Sequence, residues 1–420
     1  MNNDAILSID SPSDWETKKI KYIFDERKEN NDPVKTNVLV SLTHDRGVIL
    51  HSDKGNIGNK EKDDLTKYKL VYPGDILTNS MNVIIGSSGL SEYYGLVSPV
   101  YYILVAKSET YDKKFFHYLF RSVVFQKSLV GLGNGILEHR MRIPMDKLGD
   151  QFIPFPNPKE QKLISRYLDK KTRKIDVLIK KMSKKIELLK EKRMSLISQC
   201  VTKGLDPNVQ IKDSGVTWIG EIPEHWAIVP MFVLFCENKT KNKEGRLDVL
   251  TLSYGKIKYR DLSRSEGIYP ESFDGYQVTE VNSIIIRSTD LQNDHKSLRV
   301  GHVGIPGVIT SAYLGLNPRK PVKTKFYYYS IHLSDLKKVL YGLGGGLRQS
   351  LRYEDFKRFP IANPPEHERN MISDHLDQID QKTDQLCLKL ERKIQLLKEY
   401  RQSLISSVVT GKVRVTEDMI

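Results

Sequence analysis

The sequence predicts an α+β protein with two globular domains, of α+β or α/β type, separated by two long helices that form a coiled coil. Three observations predict this fold class: an internal repeat, a heptad-like spacing of apolar residues in both copies of the repeat, and short strand-like and helix-like runs outside them. The chain has 420 residues, of which 39% are hydrophobic, so two separate cores can form.

The repeat is the strongest feature of the sequence. The segments that begin at Asn157 and Asn363 align at a constant offset of 208 after a two-residue insertion. Residues 195–198 and 403–406 both read SLIS, and Trp15 and Trp226 precede the two copies at similar distances. We expect antiparallel packing of the two helices, which would relate the halves by a pseudo-twofold. The helices are more alike than the domains, which predicts one kind of partner for both helices and different partners for the domains.

Each helix is predicted to begin at an Asn-Pro-x-Glu run. The asparagine can accept hydrogen bonds from the amides of the first turn, and proline is tolerated at the first helical position. A glutamate at the third position can complete a capping box and suits the positive end of the helix. The predicted capping residues are Asn157, Glu160, Asn363 and Glu366.

Apolar residues spaced by three and four predict a coiled-coil seam on each helix. Arg193 and Arg401 interrupt the seams at equivalent places, where they either fix the register or bury only their aliphatic stems. The insertion near Arg369 leaves open whether the first turns form a separate short helix. The predicted seam comprises Ile175, Leu178, Met182, Ile186, Leu189 and Leu196 on the first helix, and Leu386, Leu390, Ile394, Leu397 and Leu404 on the second.

The domains are predicted from alternating strand-like and helical runs. A turn that enters a strand is expected at 71–77, with its counterpart at 282–286. Extended runs are expected at 101–105 and 326–331, and helices at 115–129 and 333–340. The predicted organisation is a first domain at 1–156, a helical region at 157–203, a linker at 204–222, a second domain at 223–362, a second helical region at 363–412 and a tail at 413–420.

Charge and cysteine usage restrict the class of protein. The net charge of +14 suits a polyanionic partner. Residues 170–203 carry twelve Lys or Arg against three acids, which suits either a solvated helix surface or a docking face for a partner or DNA phosphates. No apolar run reaches the roughly 18 residues of a membrane span, and Cys200, Cys236 and Cys387 form no zinc or disulfide pattern. We expect an intracellular protein with no membrane partner and no metal.

Motifs for catalysis are missing. The run Asn363-Pro364-Pro365-Glu366 resembles the Asn-Pro-Pro-aromatic motif of DNA adenine methyltransferases, but glutamate replaces the aromatic residue that stacks on a flipped base. The other copy reads NPKE, so the shared pattern is a helix start. The GLGNG and GLGGG runs fit no nucleotide-binding motif and more simply form turns.

Taken together, these features resemble the specificity subunit of type I restriction–modification systems. The doubled helix carries the resemblance, together with SGVTWIGEIPEHW at 214–226, IRSTDLQND at 286–294 and GLRQSL at 346–351. The resemblance implies a non-catalytic subunit with two target recognition domains, each of which reads half of a split double-stranded DNA target in the major groove. Half-sites about one helical turn, roughly 34 Å, apart would suit such a reader.

The resemblance also implies the partners. Two methyltransferase subunits would dock on the helices, and restriction (motor) subunits would join that core. S-adenosylmethionine, ATP and Mg²⁺ would act in those partners and no cofactor in this chain. A prokaryotic cytoplasmic, nucleoid-associated location follows. A methylation-only complex, a self-contained nuclease or methyltransferase, and a basic coiled-coil tether are the alternatives.

Side chains that donate to or accept from base edges are the candidate DNA contacts, and some of them would touch only phosphates. The candidates are Asn79, Ser80, Asn82, Arg140 and Arg142 in the first domain, and Arg287, Thr289, Asn293, Arg348, Gln349 and Arg352 in the second.

Overall fold

The computed structural model describes residues 12–43, 46–54, 64–81, 86–133, 142–261, 272–291, 293–294, 297–343 and 350–420. The chain divides into two compact units. Unit 1 comprises residues 1–183 and 391–420, and unit 2 comprises residues 184–390. Each unit therefore combines globular structure with one segment of each long helix.

Unit 1 begins with a strand and a single helical turn and then forms the first domain. Its elements are β1 (Glu16–Lys19), α1 (Ile20–Ile23), β2 (Phe24–Glu26), β3 (Val40–Thr43), β4 (Gly47–Leu50), β5 (Lys69–Val71), β6 (Ile76–Asn79), β7 (Ser88–Leu90), β8 (Gly95–Val97), β9 (Tyr101–Ala106), α2 (Lys113–Phe120), α3 (Val123–Ser128), α4 (Met145–Gly149) and β10 (Phe152–Phe155).

The helix α5 (Pro158–Lys203) follows without a break. Unit 2 then repeats much of this order after two added strands. They are β11 (Ile211–Asp213), β12 (Glu221–Pro223), β13 (Ala227–Pro230), α6 (Met231–Leu234), β14 (Phe235–Glu237), β15 (Leu250–Ser253), β16 (Lys256–Tyr259), β17 (Gln277–Thr279), β18 (Ile284–Ile286), β19 (Val300–His302), β20 (Gly307–Ile309), β21 (Leu314–Pro318), α7 (Lys325–Leu336), α8 (Tyr353–Phe356), β22 (Pro360–Asn363) and α9 (Glu366–Val409).

The two domains share one sheet topology. Unit 1 has a four-stranded sheet in the order β2-β9-β6-β7, and unit 2 has the matching order β14-β21-β18-β19. All strand pairs in both sheets are antiparallel, and the α+β prediction is confirmed. Trp15 is buried in the hydrophobic core of unit 1, and Trp226 is buried in that of unit 2.

One predicted strand is wrong. Residues 326–331 (FYYYSI) were expected to be extended, because aromatic and β-branched residues favour strands. They form the first half of α7, where Phe326, Tyr327, Tyr329 and Ile331 are all buried. A helix buried on most of its faces shows no clear apolar stripe, so its period cannot be separated from that of a buried strand.

The two long helices begin differently. Asn157 accepts a hydrogen bond from the Glu160 amide at 3.0 Å, as an N-cap does. Asn363 belongs instead to β22, and its side-chain oxygen accepts from Tyr327 Oη at 2.6 Å and Arg369 Nη1 at 3.1 Å. The predicted cap at Asn363 is therefore wrong, because the two-residue insertion moves the start of α9 to Glu366. Both helices are continuous through the region where a separate short helix was considered.

The buried face of each helix differs from the predicted seam by one position. Leu178 and Leu386 are 45% and 46% exposed, whereas Ile179 packs in the unit 1 core and Cys387 is buried. Both differences occur at equivalent positions of the repeat. Ile179 lies four residues after Ile175, which is close to one helical turn of 3.6 residues. The predicted seam continued at Leu178, three residues after Ile175, and so left the buried face. No helix in the described ranges is long and apolar enough to cross a membrane.

Equivalent ion pairs join the long helices inside each unit. In unit 1, Arg401 on α9 contacts Asp176 on α5 through Nε at 3.0 Å and Nη2 at 3.3 Å. In unit 2, Arg193 on α5 contacts Asp384 on α9 at 3.0 Å. Each pair is the repeat equivalent of the other. Both arginines therefore hold the register between the helix segments instead of only burying their stems.

The corrected seam predicts unequal effects of two adjacent substitutions. Ile179→Ala should lower the free energy of unfolding by about 2 kcal/mol, because it removes packed methyl groups. Leu178→Ala should change it by no more than about 0.5 kcal/mol, since that side chain is largely solvated. Urea titration followed by circular dichroism measures both, and a larger loss for the Leu178 variant would contradict this register.

Candidate nucleic-acid interface

Equivalent loops connect the inner and edge strands of the two four-stranded sheets. Counted beyond the last residues that pair in β6–β7 and in β18–β19, the β6–β7 loop spans 79–87 and the β18–β19 loop spans 287–299. The same backbone hydrogen bond closes both, from Asn79 N to Ser87 O at 2.9 Å and from Arg287 N to Arg299 O at 2.8 Å. The second loop is four residues longer. The two domains thus differ in a connection that a common framework supports.

A second backbone hydrogen bond fixes each loop to the segment that follows the glycine-rich run. Ile143 N donates to Ser80 O at 3.0 Å in unit 1, and Leu351 N donates to Ser288 O at 2.9 Å in unit 2. This arrangement brings two of the predicted groups together in each unit. Arg142 adjoins the pinned β6–β7 loop, and Arg352 adjoins the pinned β18–β19 loop.

The unit 1 candidates have different surroundings. Ser80 is only 1% exposed and its hydroxyl donates to the Val100 carbonyl at 2.9 Å, so it is unsuited to contact a base. The Asn79 side chain is half-buried and accepts from the Met81 amide at 3.0 Å. Arg142 is exposed.

The unit 2 candidates line one loop and the segment pinned to it. Arg287 pairs with Asp294 at 3.3 Å, and Thr289 is half-buried. Asn293 is exposed and its amide donates to Asp290 Oδ1 at 2.9 Å. The Arg352 side chain is 78% exposed and reaches Asp355 at 3.2 Å. The remaining candidates, Asn82, Arg140, Arg348 and Gln349, lie outside the described residues.

One residue that the sequence did not single out is central to the second loop. Arg299 is completely buried, and its side chain donates to main-chain carbonyls of the β18–β19 loop. The available signal was an arginine at the edge of an apolar strand, in SLRVGHV, where the first domain has Ser87. Without the strand register, the two positions could not be matched.

A lysine and a tyrosine join each domain to a long helix. In unit 1, Lys114 and Tyr118 contact Asp169 of α5 at 2.6 and 2.8 Å. In unit 2, Lys325 pairs with Asp377 of α9, and Tyr329 donates to it at 2.9 Å. Burial raises the pKa of both tyrosines, so they donate hydrogen bonds as neutral phenols. Each domain is thus oriented on its own helix segment by the same contact.

Three buried histidines predict a pH dependence of stability. Desolvation lowers the pKa of His117, His302 and His332 to about 4 each, so they are neutral in the folded protein. Their unfolded pKa lies near 6.5. Because folding depresses the pKa, the stability is present above pH 6.5 and is lost as the pH falls toward 4. Each histidine should remove up to about 1.4 kcal/mol per pH unit across this window.

Urea titrations at pH 7, 6 and 5 measure this loss. His117→Gln should reduce its slope, while His367→Gln, a control whose side chain is 73% exposed, should leave the slope unchanged. A loss that persists fully in variants of all three buried histidines would contradict this origin.

In the described ranges, no group of three or more His, Cys, Asp and Glu side chains could hold a metal ion. The interface offers hydrogen-bonding and charged groups on pinned loops, and such groups suit a polar polyanion.

No family model matches the sequence. The MjaVIII type I restriction enzyme specificity subunit of Methanocaldococcus jannaschii is 25% identical over 288 residues, which cover 63% of this chain and 62% of that protein. The EcoKI specificity subunit of Escherichia coli is 23% identical over 211 residues, covering 46% and 44%. The matches thus span less than two thirds of either curated relative.

Solved structures match over nearly the whole chain. A chain from a structure of the type I R-M system, solved to describe complex assembly and conformational transition, has a TM-score of 0.70 at 12% identity and covers 96% of this chain and 99% of its own. The HsdS subunit of Thermoanaerobacter tengcongensis has a TM-score of 0.53 at 14% identity, with 96% and 98% covered. In sequence and in fold, this chain resembles the specificity subunits of type I restriction–modification systems.

Proposed function

We propose that this chain is the non-catalytic DNA-recognition subunit of a type I restriction–modification complex. The observation that carries the proposal is the contrast between the loops and the helix contacts. The two units use the same sheet, the same loop-pinning hydrogen bonds and the same interhelix ion pairs. Their loops differ in length and side chains, as expected for readers of two different half-sites.

The proposal extends to the organisation of the chain and to the partners that it binds in the complex. The recognition domains are residues 1–156 and 223–362, and the helical regions at 157–203 and 363–412 each bind one methyltransferase subunit, which in turn recruits restriction subunits. Residues 204–222 connect the halves and 413–420 form a tail. The partners hold S-adenosylmethionine, ATP and Mg²⁺, and the complex acts on the nucleoid. Asn79, Arg142, Arg287, Thr289, Asn293 and Arg352 are the proposed DNA contacts in the described ranges, with Asn82, Arg140, Arg348 and Gln349 outside them.

Mapping N6-methyladenine in the host genome, with and without this gene, tests the proposal. The expected result is a split motif of two short fixed sequences around an unspecified spacer, present only when the gene is intact. A genome with the same modified motifs after deletion would contradict the proposal.

A second measurement separates recognition from catalysis. The purified chain, incubated alone with duplex DNA and a labelled methyl donor, should transfer no label. Transfer by the lone chain would show instead that it is a self-contained methyltransferase.

A further inference from the structure

We propose that Arg299 is a positioning residue, which holds the β18–β19 loop of unit 2 in the conformation that reads the second half-site. This inference rests on the proposed function and assigns one device within it. It concerns the main chain of the loop, whose shape decides where the candidate side chains lie.

The guanidinium of Arg299 is enclosed by the loop that it organises. Arg299 has no exposed surface. An arginine side chain has five N–H donors in one plane, and here five hydrogen bonds use all three nitrogens. Nε donates to the Tyr341 hydroxyl at 3.2 Å, and that ring lies 5.2 Å from the guanidinium carbon. The other four bonds reach main-chain carbonyls of Arg287, Thr289, Asp290 and Asp294, at 3.1, 2.8, 2.9 and 2.6 Å.

These contacts stabilise the observed conformation of the loop. All five acceptors of the side chain are neutral oxygen atoms, and these hydrogen bonds stabilise the buried charge together with the attraction of the Asp335 carboxylate. If the loop opened, the cation and the carbonyls would lose their partners together, which would leave several polar groups unsatisfied at once. The Arg299 amide also donates to Asp335 on α7 at 2.8 Å, which anchors the residue to the domain core.

The held loop carries candidate DNA contacts. Arg287, Thr289 and Asn293 lie on it, and Asp290 adopts a left-handed backbone conformation with φ of 59°. A left-handed aspartate is tolerated but not favoured, so the bonds from Arg299 stabilise a turn that the sequence alone would populate less. A loop with a fixed conformation avoids the entropic cost of ordering when DNA binds.

In the described part of the first domain, the equivalent position holds no such device. Strand register places Ser87 at the position of Arg299, and a serine hydroxyl cannot reach four carbonyls. The shorter β6–β7 loop is closed by its own backbone and by the bond to Ile143. Loss of Arg299 should therefore affect only one half of the DNA target.

Substitution by lysine tests this role in the intact complex. Lysine keeps the positive charge but presents its donors from a single atom, so it cannot hold carbonyls arranged around a plane. In cells that express Arg299→Lys, the methylated motif should keep its first half-site. The discrimination between bases in the second half-site should fall roughly tenfold at one or more positions, about the contribution of one specific base contact.

A matched variant separates positioning from general stability. Val303→Ala removes a completely buried side chain from the same domain, in a cluster with Leu250 and Ile285 that lies outside the loop. It should reduce the methylated fraction of all sites and leave both half-site sequences unchanged. Arg299→Ala should resemble Arg299→Lys in its loss of second half-site discrimination.

Each outcome decides a different question. If Arg299→Lys keeps the full motif, or relaxes it no more than Val303→Ala does, the positioning role is wrong while the proposed function stands. If the wild-type chain directs no split motif, the proposed function fails before the role of Arg299 is reached.

Discussion

Trp226→Ala is expected to lower the free energy of unfolding of unit 2 by about 3–5 kcal/mol, the cost of emptying a large buried aromatic site. Trp226 is 1% exposed, and its ring meets Phe326 edge to face at 5.9 Å between centroids. Its Nε1 donates to the Glu368 carboxylate on α9 at 2.9 Å. The substitution therefore removes packing and a charge-assisted hydrogen bond between the domain and its helix.

The repeat provides a matched control for this effect. Trp15 occupies the equivalent place in unit 1, where its Nε1 is buried without an acceptor among the described residues. Phenylalanine at either position leaves part of the volume of the indole ring unfilled, but only Trp226→Phe also removes a hydrogen bond. Trp226→Phe should be more destabilising than Trp15→Phe by about 1–3 kcal/mol. Urea titration measures the losses, and hydrogen exchange assigns them to a unit; equal losses would show that the bond to Glu368 contributes nothing.

The second large effect is expected at Gly307, at the start of β20. A methyl group built there would lie 2.5 Å from the Asp248 carbonyl oxygen and 2.8 Å from Leu250 Cγ. Val308 N donates to that same carbonyl at 3.0 Å, so β20 cannot move aside without losing the bond. Gly307→Ala should destabilise unit 2 by about 3 kcal/mol and break the pairing of Val308 with the segment before β15.

Unit 1 repeats this close approach, so the test can be made twice. A methyl group at Gly95 would lie 2.6 Å from the Val38 carbonyl oxygen, and Leu96 N donates to that oxygen at 2.7 Å. Gly304 is the control, because nothing lies within 4 Å of a methyl group there. Thermal denaturation should show a large loss for Gly95→Ala and Gly307→Ala and a small change for Gly304→Ala. A comparable loss at Gly304 would show that glycine is needed there for another reason.

The sequence predicted the repeat and the long helices because local patterns determine them. Heptad spacing and the Asn-Pro start are visible within one or two turns, so the start of α5 was predicted correctly at Asn157. The start of α9 was not, because Asn363 is held by a tyrosine that lies 36 residues earlier in the chain. The choice between strand and helix at 326–331 likewise depended on tertiary burial.

The candidate site was less predictable for a related reason. Residue type alone identified loop residues that could touch DNA. It did not show that one of them, Ser80, is buried. It also could not identify Arg299, whose role depends on four carbonyl groups, and a main-chain carbonyl carries no signature in the sequence.

The way in which Arg299 holds its loop has a consequence for the proposed DNA recognition. Its side chain bonds to carbonyl groups, which every amino acid possesses, and to none of the side chains that project from residues 287, 289 and 293. Exchanges at those three positions therefore leave the bonds between Arg299 and the main chain in place, even where they remove the contact of Arg287 with Asp294 or of Asn293 with Asp290. In the second domain, the main chain of the loop is the part that must stay fixed, and the side chains at 287, 289 and 293 are the part that can vary. A library randomised at these three positions is therefore a practical route to altered recognition.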